Sequence, residues 1–259
     1  LFVAMLLLLS SCGSVPLTGR KQVLLVSDQE VLSSSLTQYS DYMKSAKKSS
    51  SKDGAAMVTR VGKKIAAATE QYLKNNGLES EIKNFAWEFN LVNDSQVNAF
   101  CMPGGKIVVY EGLMQLVSSD DELAVVVGHE VAHAVAKHSN ERMSQQLMAQ
   151  YGAQILGQAL SNKSAAVQQI GNSVYGLGAQ YGVMLPFSRK HESEADYMGL
   201  VFMAMAGYNP EVAVNFWQKM SAGKSGSTPE FMSTHPSDAT RINEIKRHLP
   251  EIEKYRVKK

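Results

Sequence analysis

Cysteine is almost absent. Cys12 and Cys101 are the only two in 259 residues, so no disulfide framework is expected, and stability must come from a buried core that a chain of this length can form. An excess of charge of one sign is missing too: 26 Lys and Arg stand against 24 Asp and Glu, a net charge of +2, which gives no reason to expect a nucleic-acid partner. The apolar run Leu1 to Leu9 falls short of the roughly 20 residues that cross a bilayer. No internal repeat is visible, and 44% hydrophobic with 19% charged residues fits one globular domain. Histidine is also scarce, with six in the chain, so the placement of two of them carries information.

Those two sit in His129-Glu130-Val131-Ala132-His133, inside the apolar run Leu123 to Gly128. On a helix, residues four apart share a face with a rise of about 6 Å, so both imidazoles can reach one tetrahedral metal while Glu130 flanks its open position. Neutral imidazoles leave the charge of a zinc ion uncancelled, and that charge acidifies a bound water to a pKa of about 7. Glu130 is then the candidate general base. The alternative, a buried helix with two histidines four apart by chance, is a poor fit to so few histidines around a glutamate.

A third ligand is offered by Arg189-Lys190-His191-Glu192-Ser193-Glu194-Ala195-Asp196. If this segment is helical, Glu192 and Asp196 share a face. Glu192 can ligate zinc, and Asp196 can accept the spare N–H of a ligand histidine; Glu194 points elsewhere. Taken alone the string reads as a charged solvated face; beside the first motif the ligand reading is preferred. The pattern H-E-x-x-H-x-x-G-x-x-H fails by residue, since Ala136 and Ser139 stand where Gly and His are required. His138 is read as a helix C-terminal histidine rather than a ligand. Arg241, on a helix starting after Ser237 or Asp238, is a candidate second oxyanion donor.

Lys106-Ile107-Val108-Val109-Tyr110 follows the Gly104-Gly105 turn and reads as a strand. As an exposed edge beside the metal it would hold an extended peptide through main-chain hydrogen bonds. The alternative is a buried strand pairing with Trp87 to Val92. Helices are expected over Asp28 to about Lys47, Ala55 to about Asn75, Asp120 to Lys137 with Ser118 or Ser119 as cap, Arg189 to Met205, from Asn209-Pro210 onward, and Asp238 to Leu249. Glu141 to Phe187, rich in Gln, Ala and Gly, defaults to a packed helical hairpin. The lysine cluster Lys44, Lys47, Lys48, Lys52 is expected to be solvated surface.

The N-terminus supplies an expectation of place. Leu9-Ser10-Ser11-Cys12 resembles a bacterial lipobox cut before a cysteine that is then lipidated. Residues 1–11 are accordingly read as a signal peptide truncated at its start, 12–27 as a lipidated N-terminus and tether, and 28–259 as one domain. With Cys12 lipidated, Cys101 is the remaining free thiol.

Together these strings resemble the gluzincin metallopeptidases of family 48, the group of CAAX-prenyl endopeptidases and HtpX-like proteases, in particular its periplasmic lipoprotein members. The resemblance rests on Asn98-Ala99-Phe100 with Pro103-Gly104-Gly105-Lys106-Ile107, His129 to His133 with His138, Glu192 to Asp196 with Gly199, and Thr234-His235-Pro236 with Arg241-Ile242. It implies one Zn2+ per chain on His129, His133 and Glu192, with Glu130 as base. It also implies a loop histidine, His235, that stabilises the tetrahedral intermediate or fills the metal's fourth position at rest. From sequence alone that histidine is a loop residue beside a proline.

The expected fold is α+β, mostly helical, a gluzincin-type metallopeptidase with a small sheet beside the metal helix. The expected function is a lipid-anchored zinc endopeptidase cleaving unfolded or damaged cell-envelope proteins, located at the bacterial outer membrane facing the periplasm. The alternative of another class is a zinc-stabilised chaperone or scaffold whose gated site seldom turns over. A third reading, a binding module with a vestigial motif, is opposed by Glu130, which zinc binding does not require. Oligomeric state is not fixed by any feature.

Overall fold

Serines placed just ahead of acidic residues start three of the described helices. Ser27 and Glu30 form a reciprocal capping box ahead of α1 (Asp28–Ser45), and Ser51 caps α2 (Lys52–Asn75) through the Gly54 N–H. The computed structural model describes residues 12–161, 185–222, 231, 235 and 239–257. Its remaining elements are β1 (Cys12–Ser14), β2 (Lys21–Val23), α3 (Glu79–Ile82), β3 (Glu88–Val92), β4 (Ala99–Met102), β5 (Lys106–Tyr110), α4 (Glu111–Met114), α5 (Asp120–Val135), α6 (His138–Leu160), α7 (Leu185–Met205), α8 (Val212–Ala222) and α9 (Ala239–Ile252). Among the described residues helices dominate, as expected, and no helix is long and apolar enough to cross a membrane.

Helix α5 carries the first motif. Ser119 accepts the Glu122 N–H at its start, and Asp120, Asp121 and Glu122 meet the positive end of its dipole. Every residue from Leu123 to Ala132 is buried, the expected state of a helix that is apolar all round. Its main partner is α7. The two backbones touch where Gly128 faces Gly199: a Cβ on Gly128 would stand 2.8 Å from the Gly199 carbonyl oxygen, and one on Gly199 would stand 2.7 Å from the His129 nitrogen. Only glycine admits so close a crossing, and the crossing brings Glu192 and Asp196 within reach of His129. Val58, Val61, Ile65 and Ala68 of α2 are buried as their spacing predicts, and one apolar cluster runs from Val15 to Ile252.

The sheet has the order β3-β5-β4, with β3 parallel and β4 antiparallel to β5. Gly104 and Gly105, at φ +93° and +79°, form the turn between β4 and β5. Lys106 to Tyr110 is therefore not an edge. It is the central strand, buried at all five positions and paired with Glu88 to Val92; Lys106 satisfies its buried ammonium on Glu88 and the Ala86 carbonyl, both at 2.5 Å. The edge beside α5 is β4.

The segment expected to be a tether is instead part of the packed body. β1 and β2 pair as a hairpin, Val15 is 1% exposed, and Arg20 reaches buried carboxylates on α6 and α7. Its polar sequence hid one apolar anchor and one cation that two buried acids need. The first turns of α6 are also buried, at Asn140, Glu141, Ser144 and Gln145, whereas Tyr151 and Ile155 are exposed. The rest of the hairpin expected over 141–187, namely 162–184, and the apolar run Leu1 to Leu9 lie outside the described residues.

Candidate metal centre

Ligand-type atoms of three residues converge where α5 crosses α7. His129 Nε2 lies 3.0 Å from His133 Nε2 and 3.3 Å from Glu192 Oε2, and His133 Nε2 lies 3.2 Å from Glu192 Oε1. Zinc bonds of about 2.0–2.1 Å at tetrahedral angles set ligand atoms about 3.3 Å apart, so these separations are of the size such a site requires. His235 adds a fourth atom. Its Nδ1 lies 3.2 Å from His129 Nε2 and 3.0 Å from Glu192 Oε1, and atoms of all four residues fall within 4.8 Å of one another.

The surroundings favour positive charge at that point. Burial alone would depress His129, but hydrogen bonds to Asp196 and Glu192 outweigh it and raise its pKa to about 9. Burial would likewise raise Glu192, and its hydrogen bonds to His129, His133 and His235 instead hold it far below the ordinary carboxylate range. His133 is pushed well down by burial, so it offers a neutral lone pair. His129 Nδ1 is 2.9 Å from Asp196 Oδ1, an acceptor that leaves Nε2 as the lone-pair nitrogen.

Glu130 stands beside this cluster rather than in it. Cys101 on β4 donates its N–H to Glu130 Oε2 at 3.1 Å. Glu130 Oε1 is buried without a hydrogen-bond partner among the described residues, 3.4 Å from His235 Nε2. A buried carboxylate oxygen left open toward a ligand cluster fits a metal-activated water as its missing partner. Burial raises the Glu130 pKa above the ordinary value, the direction useful for a proton acceptor near neutrality. A cleft of 190 Å³ opens onto these residues, with Phe100, Cys101 and Arg142 in its wall.

Two expectations about neighbours are corrected. Arg241 does not face a substrate carbonyl. It is buried, its guanidinium 4.0 Å from the centre of the Trp217 ring, and it donates to both Asp196 oxygens at 2.5 and 2.7 Å; the buried carboxylate needs that cation, which brings Asp196 below its ordinary pKa against the effect of burial. Arg241 is therefore a positioning residue for Asp196 and, through it, for His129. His138 is not at the C-terminal end of the metal helix. Lys137, at φ +56°, breaks the chain direction, so His138 opens α6 and lies buried against His133, Nδ1 to Nδ1 at 2.8 Å. Glu194 does point away from the cluster, but into protein, where it meets His138 and Arg20. Cys12 begins β1 opposite Val23.

Two histidines one turn apart on one helix, a glutamate from a second helix and a flanking glutamate define the gluzincin class of zinc metallopeptidase domain. The chain belongs to peptidase family M48, whose family model matches residues 59–249, and zinc is its metal. It is 36% identical over 201 residues to the mitochondrial metalloendopeptidase OMA1 of Schizosaccharomyces pombe, covering 76% of this chain and 53% of that one. It is 39% identical over 168 residues to the Arabidopsis thaliana protein of the same name, covering 65% and 33%. It is 30% identical over 171 residues to the beta-barrel assembly-enhancing protease of Yersinia pestis, covering 64% and 35%. The chain thus spans about half the length, or less, of these curated relatives.

These relatives overturn the expected location. A bacterial outer-membrane lipoprotein was expected, yet the matches at 36 and 39% identity are named as mitochondrial proteins. The expectation had rested on the apolar run Leu1 to Leu9 and Cys12 alone.

Proposed function

We propose that the chain is a zinc-dependent endopeptidase acting on extended, unfolded polypeptide, with His129, His133 and Glu192 holding the metal and Glu130 as general base. The observation that carries this reading is the open Glu130 Oε1 beside the converging ligand atoms of three residues. His129, His133 and Glu192 would hold zinc there, which would supply a Lewis acid for the scissile carbonyl and lower the pKa of the attacking water. Glu130 would accept the proton of the attacking water and return it to the leaving amine. Asp196 and Arg241 keep His129 in the tautomer that presents Nε2.

Substrate alignment falls to β4. Among the described residues it is paired on one side only, with β5, and its Cys101 N–H turns outward to Glu130, so a strand added along this edge would pass beside the base. Main-chain pairing of that kind asks for an extended segment and little of its side chains. Relatives named metalloendopeptidases support cleavage within chains rather than at ends. The test is cleavage of casein, which has little fixed structure, beside a stably folded protein of similar size. Internal cleavage of casein alone, stopped by a chelator and restored by zinc, is expected; trimming from chain ends, or no cleavage by the zinc-loaded chain, would overturn the reading.

One observation favours a gated form of the site. His235 Nδ1 occupies the fourth corner of the ligand cluster, where water and substrate must enter. If this closed arrangement dominates, His235→Ala raises casein cleavage about 5- to 10-fold. If His235 instead donates to the developing oxyanion, the same variant loses about 10²- to 10³-fold in kcat. The direction of the change decides between gate and catalyst.

A further inference from the structure

We propose that Arg20, ahead of the region matched by the family, is a positioning residue for the metal centre, acting on His133 through Glu194 and His138. The inference rests on the assignment of His133 as a ligand.

The hydrogen-bond direction can be followed from the outside inward. Arg20 Nε donates to Glu194 Oε2 at 2.7 Å, and Thr18 Oγ1 donates to Glu194 Oε1. Glu194, buried and held by these donors, is an acceptor, so His138 Nε2, 3.0 Å from Oε2, must carry the proton. The other ring nitrogen of a neutral His138 is then a lone pair. It faces His133 Nδ1 at 2.8 Å, so His133 donates from Nδ1 and turns its own lone pair, on Nε2, toward His129 and Glu192. With the opposite direction His133 would present an N–H to the metal and could not ligate it.

The same construction stands behind the other histidine: His129 Nδ1 meets Asp196, and Asp196 is clamped by Arg241. Each imidazole thus ends in a carboxylate held by an arginine. Glu192, Glu194 and Asp196 all come from one turn and a half of α7, and His138 serves as a spacer that lets Glu194 act on His133. Arg20 also binds Glu141 with both guanidinium arms, at 2.8 and 2.6 Å. That pair ties the hairpin to α6; Glu141 also accepts from His191 Nε2 at 3.0 Å, and His191 stacks on His138, but Glu141 supplies no hydrogen bond of the path from Arg20 to His133, so docking and positioning can be separated.

The decisive measurement is zinc affinity of the full chain by chelator competition, with the visible absorption of the cobalt-substituted protein as a second readout. Arg20→Ala and Glu194→Gln are expected to weaken zinc about 10- to 100-fold and to shift the cobalt bands. Arg20→Lys should recover part of the affinity, while Glu141→Gln lowers thermal stability and keeps both affinity and spectrum. Wild-type affinity and spectrum in folded Arg20→Ala, or in Glu194→Gln should Arg20→Ala not fold, would overturn the proposal. His133→Ala separates the two levels of argument. If it binds zinc like wild type, the ligand assignment itself fails; if it loses zinc while Arg20→Ala and Glu194→Gln do not, only the role of Arg20 fails.

Discussion

Glu130→Gln is expected to keep one zinc per chain while cleavage of casein falls by about 10²- to 10⁴-fold, the range set by loss of a general base. The substitution keeps shape and volume and removes the proton acceptor. Its amide oxygen can still accept the Cys101 N–H now bound at 3.1 Å, so β4 and α5 stay in register. Metal should stay because neither Glu130 oxygen belongs to the group of converging atoms, which comes from His129, His133, Glu192 and His235. The loss should fall on kcat with little change in KM, since Glu130 acts on the reacting water and β4 on the extended substrate. Zinc lost together with activity would make Glu130 a ligand, and activity kept within tenfold would remove the general-base role.

Much of the centre was legible in sequence because its parts lie one helical turn apart. His129 and His133 share a face whatever the rest of the chain does, and so do Glu192 and Asp196. What sequence could not supply was the crossing of α5 and α7, since nothing local says that Gly128 will meet Gly199. The strand was found at the right residues, and of its two readings the buried one, paired with the Trp87 to Val92 stretch, holds: all five positions are buried in the central strand, and the edge is β4. Arg241 was brought to the right neighbourhood and given the wrong partner, because Asp196 competes for the guanidinium more strongly than a transient oxyanion can. His138 was misplaced by a single residue, Lys137, whose left-handed backbone ends one helix and begins the next. Arg20 carried no sequence signal at all. Its two acids lie 121 and 174 positions away, a separation that only the folded chain closes.

The second large effect separates ligand from support. Glu192→Gln is expected to weaken zinc about 10²- to 10³-fold, the share of one ligand in a site whose whole binding free energy is of order 10–16 kcal/mol. Asp196→Asn should lose only about 10- to 100-fold, as for a partner that orients a ligand. The difference follows from where the two carboxylates point. Glu192 directs both oxygens at ligand nitrogens, at 3.2 and 3.3 Å, and binding a cation there takes advantage of a carboxylate that is fully ionised. A neutral amide keeps a carbonyl oxygen in the same place but removes the charge that balances zinc, and its NH2 opposes the metal if it rotates inward. Asp196 meets only the far side of His129 and Arg241, so its loss loosens the ring without deleting a bond to metal. Chelator competition on both variants and His133→Ala, read beside zinc content after dialysis, gives the order directly. Glu192→Gln and His133→Ala must both fall below Asp196→Asn. If Asp196→Asn is the weaker binder, Glu192 is not the third ligand and the α7 contribution to the metal must be reassigned to Asp196.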